Sequence, residues 1–126
     1  MRYLIDTNVL VYAAAGEKKA VHFLHQAHDC EWVGYSAITR LELFGYPDLK
    51  LEDEGKLRAL LACFEEVEVT GMVIDRAIAI RKEKRIKVPD AILAASALVL
   101  SARLATRNVF DFKGIKGLQT VDPLAP

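Results

Sequence analysis

The sequence predicts an α/β domain in which a mainly parallel sheet lies between two layers of helices, a three-layer α/β/α arrangement. Short runs of β-branched and aromatic residues alternate along the chain with longer segments whose apolar residues recur at helical spacing. Such alternation implies crossover connections, which place helices on both faces of a parallel sheet. The length of 126 residues is that of one domain, so we assign residues 1–126 to a single unit.

Local composition predicts five strands. They are Tyr3–Ile5, Trp32–Tyr35, Val67–Val69, Arg103–Thr106 and Leu118–Val121. Most of them combine aromatic or β-branched residues with flanking turn signals. In open parallel sheets, ligands bind at the carboxyl ends of the strands, so polar residues that directly follow a strand are the first candidates for a functional site.

Helices are predicted between the strands. The segments with helical spacing are Val9–Ala15, Lys18–Cys30, Ile38–Phe44, the region around Leu57–Phe64, Ile74 onward, and Ala91–Leu100. Ser36 is a suitable N-cap for the third helix, in which Ile38, Leu41 and Leu43 are expected to face inward. The fifth helix is expected to run into the charged segment Arg81–Lys87. Pro89 then stops it and opens the next helix, which places Asp90 in a first helical turn.

Composition excludes several classes of protein. Asp6 interrupts the apolar stretch that a secretory signal requires, and the longest apolar run is far shorter than the roughly 20 residues of a membrane helix. Cys30 and Cys63 make neither a disulfide framework nor a zinc site, which favours reduced thiols in a cytoplasmic protein. Lys plus Arg and Asp plus Glu number 17 each, so any affinity for phosphate depends on a local patch.

Four carboxylates stand where chemistry is expected. Asp6 follows the first strand and Asp111 follows the fourth, so both are predicted at one edge of the sheet. Glu42 and Asp90 lie in apolar helical segments, where an unpaired buried acid would be destabilising. If the four converge, their repulsion favours a cation between them, and oxygen ligands select magnesium or manganese. Such a site suits phosphodiester hydrolysis.

Each acid also has a structural interpretation. Asp6 would cap the following helix, Asp90 would favour the positive end of a helix dipole, and Asp111 would order its loop. An aspartyl-phosphate phosphatase also carries an Asp after its first strand, but the second acid that it needs is replaced here by Asn8. A phosphorylation receiver domain needs adjacent acids at that strand end. Both alternatives are analogies at the level of the fold.

Four segments of the chain, in order, carry a family resemblance. They are Asp6-Thr7-Asn8, Ser36 to Glu42, Pro89 to Ala95, and Thr106 to Phe112. These segments resemble the four motifs of PIN-domain nucleases and span nearly the whole chain. The short length, with little outside the domain, is similar to that of the VapC toxins of toxin–antitoxin modules.

The resemblance implies a Mg²⁺-dependent or Mn²⁺-dependent endoribonuclease that hydrolyses RNA phosphodiester bonds. It also implies a homodimer and an inhibitory antitoxin. By the same match, the metal-binding and catalytic acids are Asp6, Glu42, Asp90 and Asp111, and the hydrogen-bonding residues beside them are Thr7, Asn8, Thr39 and Asn108. Two alternatives remain open: a housekeeping nuclease that processes RNA without an antitoxin, and a degenerate domain that only binds RNA or protein.

Basic residues beside these motifs are candidates for binding RNA. Five of the seven residues from Arg81 to Lys87 are positive. The predicted contacts to RNA phosphates are Lys84, Arg85, Lys87, Arg40 and Arg107. The alternative is a solvated helix end whose cations favour the dipole.

Two further groups of side chains receive structural interpretations. The histidines of the second helix, at positions 22, 25 and 28, spread over a broad arc and are interpreted as a solvated or interface surface. The aromatic residues Trp32, Phe44 and Tyr46 are interpreted as core or interface residues rather than as platforms for stacking bases.

Overall fold

The computed structural model describes residues 1–126, and its central element is a five-stranded sheet. The strands are β1 (Arg2–Ile5), β2 (Trp32–Ser36), β3 (Glu65–Val67), β4 (Arg103–Ala105) and β5 (Thr120–Val121). All neighbouring pairs are parallel, and the order across the sheet is β3-β2-β1-β4-β5. The predicted α/β fold with a parallel central sheet is therefore confirmed.

Helices cover both faces of this sheet. They are α1 (Thr7–Ala14), α2 (Lys18–His28), α3 (Ala37–Phe44), α4 (Leu51–Leu61), α5 (Gly71–Glu83) and α6 (Val88–Val99), with a 3-10 helix at Val109–Phe112. Because side chains alternate along a strand, Leu4 of β1 packs in the core with α5 and α6, whereas Ile5 packs in the core with α1, α2 and α4. None of the helices is long and apolar enough to span a membrane.

The helix that follows the basic segment begins as predicted. Pro89 occupies the first turn of α6, where its missing N–H leaves no helical hydrogen bond unmade, and Asp90 lies in the same turn. The fifth helix runs into the basic segment as predicted, but includes only its first three residues. Helix α5 ends at Glu83, and Lys84 has extended backbone angles, so residues 84–87 form a connection rather than a helix end.

Two other details of the sequence interpretation are wrong. Strand β3 lies two residues earlier than predicted, because the pairing with β2 places Val67 opposite Ser36 at the strand ends. Leu41 does not face inward but is 71% exposed. The inward side of α3 carries Thr39 and Leu43, which are four residues apart and share one helical face, so Leu41 points away from it.

Gly34 of β2 is expected to be the strand position at which an added side chain lowers stability most. A Cβ at Gly34 would lie 2.7 Å from the carbonyl oxygen of Glu65 and would overlap the Trp32 indole. That indole is held by a hydrogen bond to Glu65 and by the Arg2 guanidinium, 5.0 Å from the ring centroid. We expect Gly34→Ala to lower the free energy of unfolding by about 1–3 kcal/mol, as measured by urea denaturation.

Gly55 provides the matched control for this substitution. It lies in exposed helix α4 with no atom within 4 Å of a built Cβ, so Gly55→Ala is expected to raise stability by up to about 1 kcal/mol. Denaturation midpoints that moved together in the two variants would contradict the close packing argued for Gly34.

Candidate active site

The candidate site lies where the strand order reverses. From β1 the chain continues to β2 and β3 on one side of the sheet and then crosses to β4 on the other side, which opens a crevice at the carboxyl ends of β1 and β4. Asp6 directly follows β1, and Thr106 directly follows β4. The Asp6 N–H donates a hydrogen bond of 2.9 Å to the carbonyl oxygen of Ala105, so Asp6 and Thr106 lie side by side.

The Asp6 carboxylate is buried and held in one orientation. The residue is only 6% exposed, and its Oδ2 accepts a hydrogen bond of 2.7 Å from the Thr106 hydroxyl. Thr106 is fully buried, and its hydroxyl oxygen accepts the backbone N–H of Asn108 at 3.0 Å. The backbone of the loop after β4 therefore orients the Thr106 hydroxyl, and this hydroxyl in turn orients the Asp6 carboxylate.

The surroundings of Asp6 disfavour its negative charge. Burial raises its pKa above the ordinary value, and the nearby carboxylates of Asp90 and Glu42 raise it further. The hydrogen bonds from the Thr106 hydroxyl and the Thr7 backbone act in the opposite direction. Positive charge delivered to this crevice would therefore stabilise the ionised carboxylate.

Glu42 reaches the site from α3 and is oriented by two threonines. The Thr7 hydroxyl donates to Glu42 Oε1 at 2.8 Å and lies 2.9 Å from the Thr39 hydroxyl. Because Thr7 has a single hydroxyl hydrogen and gives it to Glu42, buried Thr39 is the donor to Thr7. The expectation that Glu42 lies in apolar surroundings is wrong, since the residue is exposed, but its carboxylate is held by hydrogen bonding.

Asp90 and Asp111 complete the group of four acids. Asp90 is half-buried, and its pKa is raised first by burial and then by the carboxylates of Asp111 and Glu42, with Lys87 opposing. Asp111 is exposed on the 3-10 helix, where its N–H donates to the carbonyl oxygen of Asn108 at 3.0 Å. Each of the four acids is thus close enough to at least one other for their charges to interact.

The structure contains no preformed cage of metal ligands. No group of three or more His, Cys, Asp or Glu side chains has an arrangement that would hold a metal ion. The three histidines of α2, at positions 22, 25 and 28, are exposed, as the solvated-surface interpretation expects. Of the other two polar residues assigned to the site, Asn8 is exposed in the first turn of α1, and Asn108 is exposed where the loop after β4 turns into the 3-10 helix.

Two of the predicted RNA-binding arginines have partners within the protein. The Arg40 guanidinium pairs with the Glu66 carboxylate, with 3.3 Å between Nη2 and Oε2, so much of its charge is neutralised locally. Arg107 stacks on the ring of Tyr12, with 5.4 Å between its central carbon and the ring centroid. Arg107 therefore remains a charged group, held against α1.

The basic connection between α5 and α6 lies beside the acids. The Arg81 side chain reaches across this connection and donates a hydrogen bond of 3.1 Å to the carbonyl oxygen of Ile86. Arg85 and Lys87 are exposed, Lys84 is half-buried, and none of the three forms an ion pair. Lys87 is close enough to Asp90 to lower its pKa. Unpaired positive charge is therefore present at one side of the crevice.

Sequence reasoning did not assign roles to two residues that shape this site. Thr106 directly follows β4, just as Asp6 directly follows β1. This equivalent position at a strand end is the feature of the sequence that could have identified Thr106. Tyr12 supports Arg107, but no spacing rule connects residues so far apart in the chain.

The fold and this crevice agree with one family. The model of the PIN domain family matches residues 3–116, and the chain belongs to that family. This match includes all four acids, the whole of β2, β3 and β4, and all of β1 except Arg2.

Solved structures with the same fold include components of toxin–antitoxin complexes. The chain is 32% identical to a chain of a toxin–antitoxin complex from Klebsiella pneumoniae, with a TM-score of 0.82 over 98% of this chain and 99% of that one. It is 25% identical to a chain of VapBC2 from Rickettsia felis, bound to a DNA fragment from its promoter, with a TM-score of 0.85 and coverage of 96% and 98%.

A chain of FitAcB from Neisseria gonorrhoeae is a further match, at 26% identity, a TM-score of 0.80 and coverage of 96% and 97%. A comparison with curated protein sequences gives no match. The chain thus has the length and fold of the chains that it matches in these structures.

Proposed function

We propose that the protein is a Mg²⁺-dependent endoribonuclease, with Mn²⁺ as an alternative ion, and the toxin of a toxin–antitoxin module. The observation that carries this proposal is the buried Asp6 carboxylate, placed at the switch point of the sheet among three other acids. Membership of the PIN domain family and the similarity to chains of toxin–antitoxin complexes support it.

The donors around the crevice suit a small, hard cation. The side chains there offer carboxylate, hydroxyl and amide oxygens, and Mg²⁺ is usually bound through one or two carboxylates with water completing its shell. We propose Asp6 and Asp90 as the principal ligands, because the charged form of both is disfavoured without a cation. Glu42 and Asp111 would bind directly or through water. Bound there, Mg²⁺ would polarise a phosphate oxygen and lower the pKa of a water molecule.

The surrounding residues would position the reacting groups. Thr106 holds the Asp6 carboxylate, and Thr7, supported by Thr39, holds Oε1 of Glu42. Glu42 Oε2 has no partner in the protein and would accept a proton from the attacking water. The exposed amides of Asn8 and Asn108 would donate hydrogen bonds to phosphate oxygens.

Cleavage of labelled total RNA tests the proposal. We expect purified protein to cleave RNA with Mg²⁺ or Mn²⁺ and to be inactive in EDTA, and the Asp90→Asn variant to be inactive under all these conditions. Asp75, exposed on α5, supplies the matched control Asp75→Asn, which should cleave like the wild type. Equal cleavage by Asp90→Asn and the wild type would contradict the assigned site.

The basic connection is expected to bind phosphates next to the crevice. Replacing Lys84 and Arg85 by Ala should weaken RNA binding and reduce the slope of log affinity against log salt by about 1.4, because each phosphate neutralised on single-stranded RNA releases about 0.7 counterions. Fluorescence anisotropy at several salt concentrations measures both effects. The matched double variant Lys18→Ala, Lys19→Ala removes the same charge from exposed positions on α2. Identical slopes in the two double variants would show that the basic connection does not bind RNA phosphates.

We propose two protein partners. A cognate antitoxin that inhibits the nuclease is supported by the similarity to chains of toxin–antitoxin complexes, and a homodimer of the toxin itself is what the family resemblance implies. Expression in cells should arrest growth, and coexpression of the protein encoded by a neighbouring gene should restore it. If growth remained arrested whichever neighbouring gene product was coexpressed, this result would favour a nuclease without an antitoxin. We also propose that the protein is cytoplasmic, which the two free cysteines and the proposed RNA substrate support.

A further inference from the structure

A cleft continues from the acidic crevice along one side of α1. Its volume is about 490 Å³, and its walls come from α1, α3, α4 and the turn between α3 and α4. Thr7, Asn8 and Glu42 belong both to this cleft and to the site described above, while Val11 and Leu57 supply apolar walls. Whatever occupies the cleft therefore lies next to the proposed point of cleavage.

Tyr46 gives the cleft an exposed aromatic face. It follows α3, is 58% exposed, and makes neither an aromatic pair nor a cation–π contact within the protein. Tyr46 is interpreted from the sequence as a core or interface residue, and its exposure excludes the core. An unpaired tyrosine face at the edge of an apolar cleft is suited to stacking with a flat aromatic ligand.

Asp53 gives the same cleft an unpaired carboxylate. It is the middle one of three consecutive acids at the start of α4. Its neighbours Glu52 and Glu54 form ion pairs with Lys56 and Arg58 one turn later, whereas Asp53 lines the cleft and makes no ion pair or side-chain hydrogen bond. Its two oxygens are therefore free to accept hydrogen bonds from a ligand.

The size and charge of the cleft favour a base over a phosphate. No Lys or Arg lines it, and its only side chains that are charged at neutral pH are the carboxylates of Glu42 and Asp53, so a phosphate would be repelled. The volume is within the range of about 300–1,000 Å³ that is usual for small-ligand sites and exceeds what one base needs. The cations of the α5–α6 connection, on the opposite face of the sheet, remain available for the backbone.

From these features we infer that the cleft binds a guanine base of the RNA, next to the phosphate that is cleaved, and that Tyr46 and Asp53 determine this specificity. The inference rests on the proposed ribonuclease function. Guanine presents two adjacent donors, N1–H and N2–H, which match the two oxygens of a carboxylate. Adenine and cytosine present a donor beside an acceptor, and uracil presents one donor between two acceptors. Only guanine satisfies both oxygens of Asp53 from one edge.

Binding without cleavage tests the inference. Fluorescein-labelled oligouridylates that contain one G, A or C, together with the all-U strand, are titrated in EDTA with the wild type and three variants. We expect the G strand to bind about tenfold tighter than the others, and Tyr46→Ala to remove most of this advantage. Asp53→Asn should shift the preference from G toward A, because an amide pairs with the donor and acceptor of adenine. Glu52→Gln, one residue away, should keep the wild-type order.

Two results would overturn the inference. One is equal affinity for all four strands. The other is a Tyr46→Ala variant that keeps the guanine preference but escapes inhibition by the coexpressed antitoxin, which would assign the cleft to a polypeptide.

Mapping of cleavage sites separates the inference from the proposed function. RNA cleavage with Mg²⁺ or Mn²⁺ at sites without a common guanine would overturn the inferred guanine pocket but would still support the proposed nuclease. Guanine-selective binding by a protein that cleaves no RNA with either ion would overturn the proposed nuclease and support the pocket. Cleavage next to guanine that shifts toward adenine in Asp53→Asn supports both.

Discussion

Replacing Asp6 by Asn is expected to lower metal-dependent RNA cleavage by at least about a hundredfold while leaving the fold intact. Asn has nearly the same shape and retains an oxygen that accepts the hydrogen bond from Thr106, so the crevice should keep its geometry. The variant loses the negative charge that we propose binds Mg²⁺, and removal of one preorganised electrostatic group commonly costs a factor of about 10²–10³ in rate. Single-turnover cleavage of a labelled RNA at saturating Mg²⁺ measures the loss.

The same substitution is expected to stabilise the metal-free protein near neutral pH. The pKa of Asp6 is raised in the folded state, so the folded protein binds its proton more tightly than the unfolded chain does. Stability of the wild type in EDTA should therefore fall as the pH rises from the ordinary aspartate pKa through the raised value. Asp6→Asn removes this contribution, and its melting temperature in EDTA should exceed that of the wild type at pH 7 but not at pH 3.

Addition of Mg²⁺ should reverse the order of the two melting temperatures, so that the wild type melts at a higher temperature than Asp6→Asn. A ligand that binds only the folded state raises the melting temperature, and the wild type has the carboxylate that the variant lacks. The control Asp75→Asn should follow the wild type in EDTA and in Mg²⁺. If Mg²⁺ raised the melting temperatures of Asp6→Asn and wild type equally, Asp6 would not be a ligand of the ion.

The position of the site was predictable because it depends on strand ends. Asp6 directly follows an apolar run, and Pro89 fixes where α6 begins, so the placement of Asp6 and Asp90 followed from local rules. The parallel sheet followed from the alternation of elements. Its order, and hence the switch point between β1 and β4, depends on which strands pair, and no local pattern encodes that choice.

Tertiary packing determined the details that the sequence left open. Helix α3 is apolar on more than one side, so the sequence alone did not show that Thr39 faces inward and Leu41 outward. The length of β3 is only three residues, too short for a period of two to locate its start. The hydrogen bond from Thr106 to Asp6 joins residues one hundred positions apart, so only the folded sheet brings them together.

Thr106→Val is expected to destabilise the protein and to impair cleavage together. Valine fills the same volume but removes the hydroxyl that donates to the buried Asp6 carboxylate and accepts the Asn108 N–H. A buried polar group that loses its partner costs about 1–3 kcal/mol, and the Asp6 carboxylate is such a group. Urea denaturation in EDTA at pH 7 measures this loss of unfolding free energy.

The pH dependence separates a positioning role of Thr106 from a general loss of stability. The hydroxyl lowers the pKa of Asp6, so its removal raises that pKa further, and the acidic limb of the pH–rate profile should move to higher pH. Thr106→Ser keeps the hydroxyl and should restore the wild-type profile, although the lost methyl group lowers stability slightly. A Thr106→Val variant that is destabilised but has the profile of Thr106→Ser would show that the hydrogen bond serves the fold and does not position Asp6 for the reaction.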